Sequence, residues 1–438
     1  MTTLTINADR LLRELHHLAT LTDCPPSPQP NTTAVTRIVF TPRDLEARAY
    51  IASLAEAAGF SIRVDPIGNT FIRWGGSDPT LPAIGTGSHT DAIPHAGMYD
   101  GTVGVLGGLE AMRSLKESGF IPIRSIETLM LTSEEPTRFG IGCIGSRLLG
   151  GVIDPTTADA LPDLLPETDP QASTGLTLRD VRTTAGFTGP LSAVPLKTNH
   201  YAAWVELHIE QGPLLEREEK AREEIPLGIV TNIAAPASYR YILEGFGGHA
   251  GALLMPDRRD ALCAAAELIL SVERHTLAAN AASHGVDSVA TIGTVAVHPG
   301  AVNSVPSRVT LALDIRDTDV ARRNSIMAAL HTDIHDIESR RHITITEEQI
   351  NADIPAISDP HILATLEAIC KSNSISYKKM VSRAYHDSNF IAPIAPIAML
   401  FIPCRAGVSH RPDEYATPAA IALGTRVLAL TLATLANE

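Results

Sequence analysis

Two periods of apolar spacing alternate along the chain, and the switches between them mark the elements. Short apolar runs, "PAIGTGS" (82–88) and "IRSIETLMLTSEE" (123–135), flank the helical pattern of "DGTVGVLGGLEAMRSLKES" (100–118), which predicts a βαβ unit. Before them, "MTTLTINADRLLRELHHLATL" (1–21) predicts a first helix with His16 and His17 on its solvated side. The stretch 151–200, rich in Thr, Pro, Asp and Ala, reads as a surface excursion before "YAAWVELHIEQGP" (201–213) returns as a strand.

From about 226 the order changes. Strands in "GIVTNIAAPASYRYILEG", "SVATIGTVAVH", "SRVTLALDIRD" and "HITITEEQI" alternate with helices in "DRRDALCAAAELILSVERH" and "DVARRNSIMAALHTDIHDIESRR". This β-α-β-β-α-β order predicts a ferredoxin-like unit. After about 351, "PHILATLEAICKSN", "IAMLFIPC" and "PAAIALGTRVLALTLATLA" resume the first pattern. The expectation is one α/β domain, 1–225 plus 351–438, split by an inserted α+β domain, 226–350.

Composition removes several classes of function. A chain of 438 residues, 44% of them hydrophobic, is long enough for two cores. A formal charge of −14 with no basic stripe argues against nucleic acid or an anionic membrane as partner. Cys24, Cys143, Cys263, Cys370 and Cys404 form no CxxC pair, which predicts reduced thiols. With no signal peptide or membrane span expected, a cytoplasmic location follows.

The chemistry concentrates at the predicted strand ends. His89 and Asp91 stand at i and i+2 where "PAIGTGSHTD" ends, and Asp100 precedes the next helix. The carboxyl ends of such strands line the ligand crevice of α/β sheets. Imidazole nitrogens and carboxylate oxygens together suit a divalent metal, with Asp91 placed to orient the His89 ring. The alternatives are a loop histidine satisfied by the backbone and an N-capping Asp100. Glu134 and Glu135 end the next strand, where one carboxylate can bind metal while its neighbour handles protons. His208 and His410 likewise end predicted apolar strands. Because Asp100 can offer each oxygen to a different ion, the set can hold two metals, manganese first, with zinc, cobalt or nickel as alternatives.

In order along the chain, "GSHTD", "MYDG", "SEEPTRFG", "HIEQGP", "GGHAGALLMPDRRDA", "AVNSVPSRVTLALDIRD", "YHDS" and "SHRPDEY" make the sequence resemble the M20-type metallopeptidases and amidases, in their hydantoinase/carbamoylase branch. The resemblance implies a mixed-sheet dinuclear metallohydrolase domain and an inserted lid domain through which a homodimer forms. It implies that Asp100 bridges, that His89 and His208 hold one ion, and that Glu135 and His410 hold the other. Glu134 would be the general base, and His249 would stabilise the substrate oxygen in the partner's site. Gln211, Asn303, Arg316, Tyr385 and His386 would bind a small carboxylate-bearing ureido substrate. For Arg316, bidentate carboxylate capture competes with a surface ion pair to Asp314 or Asp317, and for His386 and Asp387 a helix cap competes with ligand binding.

Three activities divide the branch: hydrolysis of carbamoyl amino acids, of allantoate and of ureidoglycolate. "HAGALLMP" places Ala252, Leu253 and Leu254 where the first two groups carry small hydroxylated residues and proline. With "GIVTNIAAPAS" and "SRAYHDSNF", this looks like the group that cleaves ureidoglycolate in purine ureide breakdown. A dipeptidase needs the same metals with a different pocket. A non-catalytic binding module would have lost Glu134 or a ligand, and every position is filled. His95, His298, Glu414 and Cys143 lie near these motifs with no role assigned.

Overall fold

A computed structural model describes residues 4–30, 32–165, 175–216, 227–285 and 287–438. The chain divides into two compact units: residues 1–231, 357–380 and 386–438 form the first, and 232–356 with 381–385 the second. The expected junction between 225 and 226 lies outside the described residues.

The first unit is built on a nine-stranded mixed sheet. Seven strands run in the order Leu227–Ile233, Ile397–Ile402, Tyr201–Ile209, Ala83–His89, Ile126–Leu131, Thr70–Trp74, Ser61–Val64. The four from Ile397–Ile402 to Ile126–Leu131 are parallel, and their outer neighbours are antiparallel. Ala83–His89, Ile126–Leu131 and Ile397–Ile402 are buried at every position. Helices cover both faces of such strands, which is why they read as unbroken apolar runs. "GIVTN", expected to begin the inserted domain, instead pairs with Ile397–Ile402 in this sheet; Ile229 and Val230 are fully buried there.

Helix Ala8–Thr20 leaves His16 and His17 exposed and buries Leu11, Leu15 and Leu18. Helix Thr102–Glu117 is buried along most of its length. The C-terminal helix Pro418–Ala436 is long and apolar enough to cross a membrane by composition alone. Its Ile421, Val427, Leu428 and Leu432 are instead fully buried in the same core as Val105, Leu106 and Leu109.

In the second unit, four antiparallel strands take the order Val289–His298, Arg308–Asp317, Ala235–Glu244, Thr344–Ala352. Helices Ala261–Ser283 and Val320–Arg341 connect them, giving the β-α-β-β-α-β order. Alternate residues of the two central strands, among them Tyr241, Leu243, Leu311 and Leu313, pack against Leu268, Val272, Ile326 and Leu330 of the helices. Their polar neighbours face the other side of the sheet, as the period of two requires.

Candidate metal centre

The carboxyl ends of three adjacent parallel strands bring the candidate ligands together in the first unit. His89 is the last residue of Ala83–His89, and His208 lies one from the end of Tyr201–Ile209. Glu134 and Glu135 follow Ile126–Leu131 after a sharp turn at Ser133, whose φ is +59°. His410 does not end a strand as expected: it stands eight residues past Ile402, on a loop, with a φ of +58°.

Asp100 sits at the centre. One of its oxygens, Oδ1, is 3.1 Å from His208 Nε2 and 3.9 Å from His89 Nε2. The other, Oδ2, is 3.0 Å from His410 Nε2, which is 3.3 Å from Glu135 Oε1. Two groups able to hold a metal ion meet at Asp100, His89–Asp100–His208 and Asp100–Glu135–His410, and a third, Glu206–His208–His386, shares His208; in each the ligand atoms lie within 4.8 Å of one another. Capping does not explain Asp100, because the N-cap of the following helix is Gly101, with no side-chain cap bond. Gly101 is required here: its φ is +66°, and a Cβ would lie 2.5 Å from the His89 ring.

The ring hydrogens are arranged for ligation. Nδ1 of His89 is 3.0 Å from the Asp91 carbonyl, and Nδ1 of His208 is 2.9 Å from the Ile209 carbonyl. Carbonyls only accept, so each Nδ1 donates and each Nε2 faces the cluster. Asp91 acts differently from the expected orienter of His89: its side-chain oxygen is 3.8 Å from Nδ1. The carboxylate instead accepts the backbone N–H groups of Glu134, at 3.3 Å, and Glu135, at 3.0 Å, so it fixes the turn that carries both acids.

The electrostatics call for a cation. Burial disfavours the imidazolium of His89, but Glu134, Asp91, Asp100 and Glu135 outweigh it and raise its pKa to about 10. Bonds to Asp100 and Glu135 raise that of His410 to about 11. Burial would raise the Asp100 carboxyl, yet bonds from His208 and His410 hold it well below its usual range. Burial pushes Glu134 well above its usual value. Carboxylates this concentrated need positive charge, and a divalent ion supplies it with neutral imidazoles. The donor set therefore fits metal. Glu134 stands beside these groups, its Oε2 3.7 Å from His89 Nε2.

Of the expected binding residues, Gln211 donates to Asp100 Oδ2 at 2.8 Å, and its own buried amide oxygen has no hydrogen-bond partner among the described residues. His386 stacks edge-on against His208, ring centres 4.5 Å apart. Asp387 makes no cap bond and accepts instead from the Ser146 hydroxyl at 2.6 Å. The other four lie in the second unit, where two pairs form. His249 and Asn303 are joined by the Ala250 N–H to the Asn303 carbonyl, at 2.9 Å. Nδ1 of His249 accepts the Gly251 N–H at 3.1 Å, which leaves the ring proton on Nε2. Arg316 donates to Asp314 at 2.8 Å, the ion-pair alternative, and also lies over the Tyr385 ring, 5.4 Å from its centre.

Two residues without an assigned role touch the site. Cys143 places its thiol 3.5 Å from Glu134 Oε1. Glu414 accepts the Asp100 N–H at 3.1 Å. The only sequence signal for Glu414 was its place four residues after His410, too far for adjacency to suggest contact.

The model of peptidase family M20/M25/M40 matches residues 85–434. A ureidoglycolate hydrolase of Oryza sativa subsp. japonica is 47% identical over 99% of this chain and 86% of its own length. One from Arabidopsis thaliana is 45% identical over 99% and 88%. A crystal structure of AtUAH in complex with (S)-hydroxyglycine superposes with a TM-score of 0.85 and 44% identity, covering 99% of each chain.

Proposed function

The chain belongs to peptidase family M20/M25/M40, and from that membership we propose that it is an amidohydrolase cleaving the terminal ureido C–N bond of (S)-ureidoglycolate. Water adds to the ureido carbonyl and ammonia leaves. The remaining carbamate loses CO2 to give hydroxyglycine, which decays to glyoxylate and a second ammonia. The observation that carries the chemistry is Asp100, with one oxygen turned to His208 and the other to His410 beside Glu134. The likeness to ureidoglycolate hydrolases over 99% of the chain supports the substrate.

Two divalent ions, manganese first and zinc, cobalt or nickel as alternatives, would be held by His89, Asp100, Glu135, His208 and His410, and would acidify a water and polarise the carbonyl. Glu134 takes the water's proton and returns it to the leaving ammonia. His249, with its proton on Nε2, donates to the developing oxyanion, from one subunit of a homodimer to the other's site. Arg316 and Asn303 take the carboxylate, Gln211 orients the ureido group, and Tyr385 or His386 meets the hydroxyl. A cytoplasmic location belongs to the same proposal.

The test is ammonia release from fresh ureidoglycolate, allantoate and N-carbamoylglycine, with and without prior chelation. Ureidoglycolate should give the highest kcat/KM, and N-carbamoylglycine, which lacks the hydroxyl, should fall by about 10⁴-fold. Chelation should abolish turnover and manganese restore it. Faster turnover of allantoate or the carbamoyl amino acid would move the substrate assignment; full activity of verified metal-free protein would remove the metal chemistry.

A further inference from the structure

The two groups of ligands are held in unequal ways. His89 and His208 lie on strands, and the backbone carbonyls of Asp91 and Ile209 fix their rings. Asp100 and His410 lie on loops, and ladder pairing fixes neither. A second group therefore needs another restraint, and Glu414 is placed to be it.

Glu414 is 4% exposed, and no step proposed above uses it. Its Oε1 accepts the N–H groups of Tyr99, at 2.8 Å, and Asp100, at 3.1 Å. Its Oε2 is 2.8 Å from the hydroxyl of Ser409, the residue before His410. That hydroxyl is also 3.1 Å from Asp100 Oδ2, the oxygen that faces His410. One carboxylate thus joins the two loops that carry Asp100 and His410. Gly97 makes the approach possible, since a Cβ there would lie 2.3 Å from the Glu414 Cβ.

We propose that Glu414 is a positioning residue that clamps the Tyr99–Asp100 amides to the Ser409–His410 turn and so sets the divalent-ion affinity of the Asp100–Glu135–His410 group. The proposal rests on the reading that these groups bind metal, and adds a residue that does not itself ligate. Loss of such outer partners commonly lowers metal affinity about 10–100-fold.

The test is calorimetric titration of chelator-stripped, full-length protein with manganese, for the wild type, Glu414→Ala, Glu414→Gln and Ser409→Ala. The glutamine amide can accept both N–H groups through its oxygen and bond Ser409 through its nitrogen. Glu414→Gln should therefore hold both ions within about threefold of the wild type, while Glu414→Ala weakens one of them about 10–100-fold. Ser409→Ala should weaken the same ion, and it decides the matter if Glu414→Ala does not fold. Wild-type affinities in Glu414→Ala or Ser409→Ala, or equal damage in Glu414→Gln and Glu414→Ala, would overturn the clamp. A wild type that takes up fewer than two ions would instead remove the two-ion reading beneath it, and the clamp with it.

Discussion

Glu134 and Glu135 are adjacent in sequence, yet the proposed mechanism gives them opposite tasks, so exchanging each should produce a distinct defect. Glu134→Gln keeps the shape of the side chain. It leaves intact the backbone N–H that Asp91 accepts, and the amide oxygen can still accept from the Cys143 thiol. What disappears is proton acceptance. General-base catalysis contributes about 10²–10⁴-fold, or about 2.7–5.4 kcal/mol at 1.36 kcal/mol per tenfold, and kcat should fall by at least that range. Glu135→Ala removes one of the three ligand atoms of the Asp100–Glu135–His410 group. Losing a direct ligand should cost more than the roughly 10–100-fold typical of an outer partner. The assay pairs metal analysis of dialysed protein with kcat and KM measured at rising manganese. Glu134→Gln should keep wild-type metal content and stay inactive at any manganese concentration. Glu135→Ala should lose about one ion per chain and recover part of its activity as manganese rises. The reverse pattern, metal lost with Glu134 and retained without Glu135, would refute the assignment of the two roles.

Mixing inactive His249→Ala chains with inactive Glu134→Gln chains should restore some activity, since mixed dimers would hold one intact composite site; no recovery after proven subunit exchange counts against action across a dimer. Arg37→Met should destabilise the chain by about 3 kcal/mol in urea unfolding, because the buried guanidinium donates to the carbonyls of Leu18, Leu21 and Thr90, and unpaired buried acceptors are costly. An unchanged urea midpoint would show that those carbonyls find other partners. Burial opposes the Glu127 carboxylate, but His200, Arg73 and Tyr201 hold its pKa down to about 2. Its contribution to stability is therefore full above about 4.5 and is lost as pH falls towards 2, so the deficit of Glu127→Gln against the wild type should shrink over that window. A deficit that stays constant down to pH 2 would rule out ionisation as its source.

The apolar runs that end at His89 and Ile209 had to be buried strands, and buried parallel strands leave their polar residues at the ends. That is why His89, Glu134, Glu135 and His208 were legible as one group from local pattern, with Asp100 added from the loop before the next helix. The β-α-β-β-α-β order of the second unit was legible for a similar reason, since its periods of 2 and 3.6 alternate cleanly between turns. Pairing partners carry no such local mark. Leu227–Ile233 reads in sequence as the first strand of the inserted domain, and only the structure shows it paired with Ile397–Ile402 in the first sheet. His410, on a loop, was placed by contacts with Asp100 and Glu135 that no spacing encodes. Asp91 was expected to orient His89 by proximity, but chain geometry gave the ring its carbonyl and sent the carboxylate to the amides of Glu134 and Glu135, 43 and 44 residues away. Glu414 was left without a role for the same reason: its partners Tyr99 and Asp100 lie 315 and 314 residues away. The sequence alone determined which side chains could do the chemistry, because period and burial act over a few neighbours. Tertiary structure decided which of them meet and what holds them, because a carboxylate binds the nearest donor in space wherever the chain has carried it.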